Sequence, residues 1–377
     1  MKICIVTTVI DGQDSGIGNY VTGLLMGLEQ KGFAEEVVLV HSQKNENQIY
    51  EVFEEELIPY KQIGKHQMYF SAKYLNGILE KSGCRLIHFP TFFKNEFGLY
   101  RASVPIVLTL HDIIPLLYPE YSTIKDYITW GSLVRTEIRN VSHVITVSEY
   151  SKSDIIKYLH IAPEKITVTY PAPDPIYRPL SKKDELMQWA VEKYNLNSDF
   201  VMYTGALDLR KNVPMLIKAF NKLKRIGLPH KLLIIGRKVG KFRESIKAME
   251  ESPFADDIIH LEYIEKEDLV NFYNLASVFV FPSLYEGFGL PPLEAMSCGT
   301  PTITSNVTSL PEVVGDSALT VDPREVDQLA NAIERVLSDK NLWQELSKKG
   351  IERSKSFSWE TTAQKTWRIY GEILEKA

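Results

Sequence analysis

Short runs of β-branched and aliphatic residues alternate with longer stretches whose apolar positions recur at helical spacing. The alternation occurs twice, on either side of a proline-rich break. In the first half, Ile3–Val9, Val37–His41, Leu86–Phe89, Ile106–Leu110, Val144–Val147 and Ile166–Tyr170 read as buried strands. Between them, Tyr20, Val21, Leu24, Leu25 and Leu28 share one helical face, and Ser148 suits the N-cap of a helix through Ile155, Ile156 and Leu159. This βαβα order predicts a parallel, doubly wound sheet. Residues 171–180, PAPDPIYRPL, carry four prolines and can continue neither a helix nor an inner strand. A polar helical stretch over 182–194 follows, and the rhythm then restarts. Phe200–Tyr203, Leu232–Ile235, Ile258–Leu261, Val278–Phe281, Thr302–Thr304 and Ala318–Val321 read as strands, with helices near 214–225, 242–251, 266–276 and 326–337. The fold class that follows is α/β, with two Rossmann-like doubly wound domains. The expected boundaries are 1–172, a hinge and connecting segment at 173–198, and 199–358. Two such domains on a stiff hinge are expected to face a central cleft, with ligands at the C-terminal ends of the strands.

At 377 residues, with 44% hydrophobic and 24% charged residues, each half can bury its own core, and a disordered or coiled-coil chain is excluded. The formal charge of −5 lacks the basic excess that phosphate neutralisation demands, so no nucleic-acid partner is expected. Cys4, Cys84 and Cys298 have no metal spacing and read as reduced thiols of a cytoplasmic protein. The apolar start meets Asp11 and Gly12 too early for a secretory leader, and no run approaches the length of a membrane span.

Four stretches could carry chemistry. Gly16-Ile17-Gly18-Asn19-Tyr20-Val21 begins like a dinucleotide fingerprint. However, Val21 holds the third glycine's place, and His41 and Ser42 stand where an acid would hold a ribose. The stretch is either a flexible loop ahead of a helix or a place where backbone N–H groups approach an anion. His111 and Asp112 fall at the end of a strand, as a structural pair or as groups facing a ligand. Arg210 and Lys211, within GALDLRKN, precede a helix opened by Pro214. They form either a solvated basic pair or a clamp for phosphate. Finally, FPSLYEGFGLPPLEAMSCGTP at 281–301 sets Glu286 after a buried strand, Gly287 and Gly289 in a loop, Pro291 and Pro292 at a helix start, Glu294 in the first turn and Gly299 at the C-cap. The two carboxylates suit paired hydroxyls of a sugar or ribose, although a capping role for Glu294 is open. No two aspartates are spaced D-x-D, so no metal is expected to hold a diphosphate.

In this ordered set the chain resembles the retaining glycosyltransferases of family four (glycosyl transferases group 1), which have the GT-B fold, and in particular bacterial mannosyltransferases. The motifs are E-x7-E from Glu286 to Glu294, SGIGNYV, IHFPTFF at 87–93, LHDIIPLLYPE at 110–120, ITVSEYSKSDI at 145–155, GALDLRKN at 205–212 and SLPEVVGDSALTVDP at 309–323. The closing FSWETTAQKTW resembles the family's last helix, so 359–377 is expected to complete the first, acceptor domain, leaving 199–358 as the donor domain.

The resemblance implies an enzyme, a hexosyltransferase drawing on a nucleotide-diphospho-sugar, with GDP-mannose as the best-fitting donor and a UDP-sugar such as UDP-glucose as the alternative. It implies a saccharide or lipid-linked acceptor, a part in surface polysaccharide or glycoconjugate biosynthesis, and no cofactor or metal. By the family pattern, Arg210 and Lys211 grip the diphosphate, with Gly16 and Gly18 approaching it. Glu294 binds the ribose. Glu286 faces the donor sugar, beside backbone donors at Phe288, Gly289 and Leu290. His111 lies near the transferred sugar with Asp112 assisting. Ala206 stands where many members have an arginine, which throws the clamp onto Arg210 and Lys211. Acceptor contacts are expected around 43–75 and 92–103, and Lys61, Lys65, Lys73 and Lys81 could assist at the inner face of a membrane. A dehydrogenase is disfavoured by the incomplete fingerprint. A non-catalytic sugar-nucleotide-binding protein is disfavoured by the presence of every motif carboxylate and cation.

Overall fold

A computed structural model describes residues 1–10, 16–41, 48–58, 72–92, 102–119, 131 and 134–376. The chain divides into two compact units, Met1–Ala172 with Ser358–Ala377, and Pro173–Phe357.

The first unit holds a parallel sheet of seven strands among the described residues. They are β1 (Ile3–Val6), β2 (Val37–His41), β3 (Glu54–Leu57), β4 (Leu86–Phe89), β5 (Ile106–Thr109), β6 (His143–Thr146) and β7 (Ile166–Val168), in the order β3-β2-β1-β4-β5-β6-β7. β1, β2, β4 and β5 are buried at every position, as strands covered on both faces must be. The first strand stops at Val6 instead of Val9, because Thr8–Ile10 closes into a 3-10 turn.

β3 escapes sequence reading because it spells Glu-Glu-Glu-Leu. It is an edge strand, and its acids find partners within the unit: Glu54 with Lys2 at 2.7 Å, Glu55 with His41 at 3.2 Å and Glu56 with Lys81 at 2.7 Å. A charged edge also discourages pairing with another chain. Helices α1 (Gly16–Gln30), α2 (Ala72–Ser82) and α3 (Glu149–Leu159) connect the strands. Ser148 Oγ accepts from the Ser151 N–H at 3.0 Å and caps α3.

The C-terminal helix Trp359–Leu374 packs on α1. Gly23 and Gly27 make room for it, since a Cβ on Gly23 would lie 2.0 Å from the Trp359 ring and one on Gly27 would lie 2.3 Å from the Trp359 carbonyl oxygen. Thr362 Oγ1 adds a hydrogen bond to the Tyr170 carbonyl.

The second unit carries a parallel sheet of six strands: β8 (Phe200–Thr204), β9 (Lys231–Ile235), β10 (Ile258–Leu261), β11 (Val278–Phe281), β12 (Thr302–Ser305) and β13 (Leu319–Val321). Their order is β10-β9-β8-β11-β12-β13. The direction of winding reverses between β8 and β11, which pair through Val201 and Val278. Loops leaving the C-terminal ends of two such strands diverge and leave a crevice, the usual ligand position in open α/β sheets.

Helix α4 (Lys183–Tyr194) belongs to this unit. Trp189 and Tyr194 pack their rings 5.0 and 4.9 Å from Phe272, so the 173–198 stretch is part of the second unit's fold and not a separate connector. Helices α5 (Val213–Arg225), α6 (Arg243–Glu250), α7 (Lys266–Leu275), α8 (Leu290–Ser297), α9 (Leu310–Val314), α10 (Val326–Ser338) and α11 (Lys340–Ser354) complete it. No helix among the described residues is long and apolar enough to cross a membrane.

Candidate active site

The loop after β8 and the loop after β11 meet at the switch point of the second sheet. After β8 the chain passes through Gly205, whose φ of 142° only glycine adopts readily. It then forms a 3-10 turn at Leu209–Lys211, in which Asp208 Oδ1 accepts the Arg210 N–H at 3.0 Å. Asn212, left-handed at φ 60°, ends the turn and starts α5. Its Nδ2 donates to the carbonyls of Pro282 at 3.1 Å and Pro323 at 2.7 Å, tying the turn to the end of β11.

The two adjacent cations converge on one acid. Lys211 Nζ lies 2.6 Å from Glu286 Oε1, and Arg210 Nη1 lies 3.0 Å from Glu286 Oε2 and donates to the Tyr285 carbonyl at 2.6 Å. Ser283 Oγ donates to Glu286 Oε1 at 2.6 Å. The Lys211 ammonium also lies 4.8 Å above the Phe281 ring. All three charged side chains are largely buried, so a solvated basic pair does not describe this arrangement.

Burial alone would raise the Glu286 pKa. The charges of Arg210 and Lys211, with hydrogen bonds from Lys211 and Ser283, outweigh it and hold the carboxyl at about 2. Burial also pulls Lys211 below the usual lysine range, against the opposing pull of Glu286.

Glu294 sits apart from this trio in its bonding. It is the fifth residue of α8 and lies beyond the first turn, where sequence reading had put it, because the helix starts at Leu290. The N-cap of α8 is Gly289, which has no side chain to cap with, and Glu294 bonds to another helix's side chain instead of the helix start. Its Oε2 accepts from the buried Tyr273 hydroxyl at 3.0 Å. Desolvation dominates here and pushes the carboxyl up to about 7, despite the Tyr273 hydrogen bond. α8 ends in a Schellman arrangement, with Gly299 N–H on the Met296 carbonyl, Thr300 N–H on the Ala295 carbonyl and Gly299 at φ 81°. Gly289, at φ 120°, heads the helix beside Phe288 and Leu290.

In the first unit, Gly16 and Gly18 are first-turn residues of α1 and not a loop ahead of it. His111 follows β5, and its Nε2–H donates to the Pro90 carbonyl at 2.9 Å while its ring meets Tyr20 edge-on at 4.7 Å. Burial lowers its pKa to about 4, so the ring is neutral near pH 7. Asp112 Oδ1 accepts the Ile114 N–H at 3.0 Å and shapes the turn into a short helix, a structural role. Behind His111, the buried His88 bridges Tyr370 of the C-terminal helix at 2.6 Å and Thr109 at 2.8 Å.

Of the proposed acceptor region, much of 43–75 and 92–103, with Lys61 and Lys65, lies outside the described residues. Lys73 falls in α2, and Lys81 is engaged by Glu56. Among the described residues no three His, Cys, Asp or Glu side chains gather as a metal site.

Sequence reasoning missed Ser283, Tyr273, Thr308 and Ser309. Ser283 and Tyr273 hold the two site carboxylates directly, while Thr308 and Ser309 bond to the Glu286 backbone. Hydroxyl-bearing residues are common, and only contact across the fold singles these out.

The family described as Glycosyl transferases group 1 matches residues 189–353, and Glycosyltransferase Family 4 matches residues 15–175. The O-antigen chain mannosyltransferase B of Escherichia coli is 35% identical over 289 residues, covering 76% of this chain and 74% of that protein. The serotype-specific mannosyltransferase WbdA of Escherichia coli is 29% identical over 78% of this chain, which spans only 37% of that longer protein. Among solved structures, the sucrose-phosphate synthase of Thermosynechococcus elongatus superposes over the full length of both chains, with a TM-score of 0.79 at 21% identity.

Proposed function

The chain belongs to the group 1 glycosyl transferases, and from that premise we propose that it moves mannose from GDP-mannose to a saccharide or lipid-linked acceptor of surface polysaccharide, with retention of configuration and without a metal. The similarity to O-antigen mannosyltransferases supports the sugar and the setting. The observation that carries the reading is the buried Arg210–Lys211–Glu286 cluster at the switch point of the second sheet.

Transfer breaks the bond between the sugar's anomeric carbon and the diphosphate oxygen and forms one to the acceptor oxygen. The acceptor's proton passes to the departing phosphate. Negative charge grows on the diphosphate, and preplaced donors that meet it there lower the barrier. Arg210 and Lys211 supply two preplaced cations beside Glu286, within reach of charge-assisted hydrogen bonds to an arriving anion. Glu286 holds the cations in place and meets the donor sugar. Glu294 takes the ribose hydroxyls. His111, neutral, offers a hydrogen bond near the transferred sugar. Contact with the inner face of a membrane belongs to the same reading where the acceptor is lipid-linked.

Thermal-shift titration with GDP-mannose, UDP-glucose and ADP-glucose, each with and without chelator, tests it, since a ligand that binds only the folded state raises the melting temperature. Stabilisation by GDP-mannose that survives chelation is the expected result. A response to UDP-glucose alone would move the donor assignment, and a requirement for magnesium would end the metal-free reading. Nuclear magnetic resonance of the product reads the anomeric configuration.

A further inference from the structure

The segment Thr308-Ser309-Leu310 spends two unfavourable features in one place. Thr308 is a β-branched residue at φ 60°, a left-handed conformation that such side chains rarely adopt. Ser309 stands at the N-cap of α9, where a serine hydroxyl ordinarily accepts a helix N–H, yet its side chain makes no capping bond.

Both hydroxyls are turned instead to the loop that carries Glu286. Thr308 Oγ1 accepts the Glu286 N–H at 3.2 Å. Ser309 Oγ, fully buried, lies 3.0 Å from the Glu286 carbonyl oxygen and 2.6 Å from that of Phe288, a donor shared between two acceptors. Leu310 closes the other side, because a Cβ on Gly289 would lie 2.7 Å from its Cδ2. Three consecutive residues thus grip the backbone from Glu286 to Gly289.

Strain at one residue and a forgone cap at the next are the pattern expected when local stability yields to the placement of a functional loop. We propose that Thr308 and Ser309 are positioning residues that set the backbone of the Glu286–Gly289 loop, and with it the Glu286 carboxylate between Arg210 and Lys211. The proposal rests on the donor-site reading of Glu286.

The test compares Thr308→Gly, Thr308→Ser, Ser309→Ala and Glu286→Gln in the full chain, reading acceptor-independent hydrolysis of GDP-mannose and the melting temperature together. Thr308→Gly removes the strain and the hydroxyl, so hydrolysis should fall at least tenfold while the melting temperature holds or rises. Thr308→Ser keeps the hydroxyl and should restore the rate to within about threefold. Ser309→Ala should also lower the rate at least tenfold, mostly in kcat. Unchanged hydrolysis in both Thr308→Gly and Ser309→Ala, with Glu286→Gln inactive, would overturn the positioning role alone. A rate in Thr308→Gly that falls only because the protein melts earlier would also overturn it. A fully active Glu286→Gln would overturn the donor-site reading itself and the positioning role with it.

Discussion

Lys211 Nζ and Glu286 Oε1 stand 2.6 Å apart inside the second unit although 75 positions separate them in the chain. The strand order brings them together: β8 and β11 are neighbours in the sheet, and the loops that leave them share one end. An ion pair built this way is ready before any anion arrives, so binding a diphosphate needs little rearrangement of charge.

Replacing either cation should therefore strike the chemical step. For Arg210→Ala or Lys211→Ala, turnover is predicted to fall at least about a hundredfold, corresponding to the roughly 3–4 kcal/mol typical of losing one such donor. Steady-state kinetics beside circular dichroism checks this. A rate near that of the unaltered protein in either variant would remove the clamp from the mechanism.

Glu294 makes the second unit sensitive to pH near neutrality. Its carboxyl is raised from 4.5 to about 7 by burial, so the folded chain holds a proton that the unfolded chain releases. Between those values stability declines as pH rises, by on the order of 3 kcal/mol in all. Donor affinity moves the other way, since the ionised carboxylate is the better acceptor for ribose hydroxyls. Melting curves and GDP titrations from pH 5 to 8 should show the two opposing trends, and Glu294→Gln should flatten both. Parallel trends would contradict the assignment.

The histidines of the first unit give an acid limit. His88 is lowered to about 3, by burial and by the proximity of His111, and His111 is lowered by burial to about 4. Both are neutral when folded and would charge on unfolding. Their contribution is complete above the ordinary histidine value of 6.5 and is lost as pH falls from there toward 4 for His111 and toward 3 for His88. Replacing His88 by Gln should make acid unfolding shallower between pH 6.5 and about 3, as measured by denaturant titration at stepped pH. An unaltered slope would show that the ring does not control it.

Gly27→Ala tests how the chain's end is held. The new methyl group would meet the backbone of Trp359 and force the C-terminal helix away from α1. Overpacking of this kind costs about 1–3 kcal/mol. A fall in the melting temperature, with Trp359 fluorescence shifted toward the solvent-exposed value, is the expected outcome. Full retention of both would mean that the helix accommodates the change.

The strands were legible where apolar runs were bounded by turn residues. Val37–His41, Leu86–Phe89, Ile258–Leu261 and Val278–Phe281 fall where the pattern puts them, and the other strands it names shift by three positions or fewer at an end. β3 was not legible, because an edge strand need not be apolar and its three glutamates are satisfied by Lys2, His41 and Lys81 from elsewhere in the unit. Helix Lys340–Ser354 was missed for a related reason, since its buried residues are few and its surface is rich in lysine and glutamate. At the site, motif spacing named Arg210, Lys211, Glu286 and Glu294. It could not show that Glu286 is the partner of both cations or that Glu294 leans on Tyr273, because those contacts depend on which strands become neighbours.

Because the helix Trp359–Leu374 packs into the first unit, that unit is assembled from two separate stretches, 1–172 and 358–377, with the second unit threaded between them. A ribosome making this protein N-terminus first releases residues 173–357 before the last piece of the first unit exists. The early-made half must wait, with the glycine-lined groove of α1 uncovered, until Trp359–Leu374 has been made. A chain cut just after Phe357 would therefore keep the cations and carboxylates of the second unit while depriving the first of its lid.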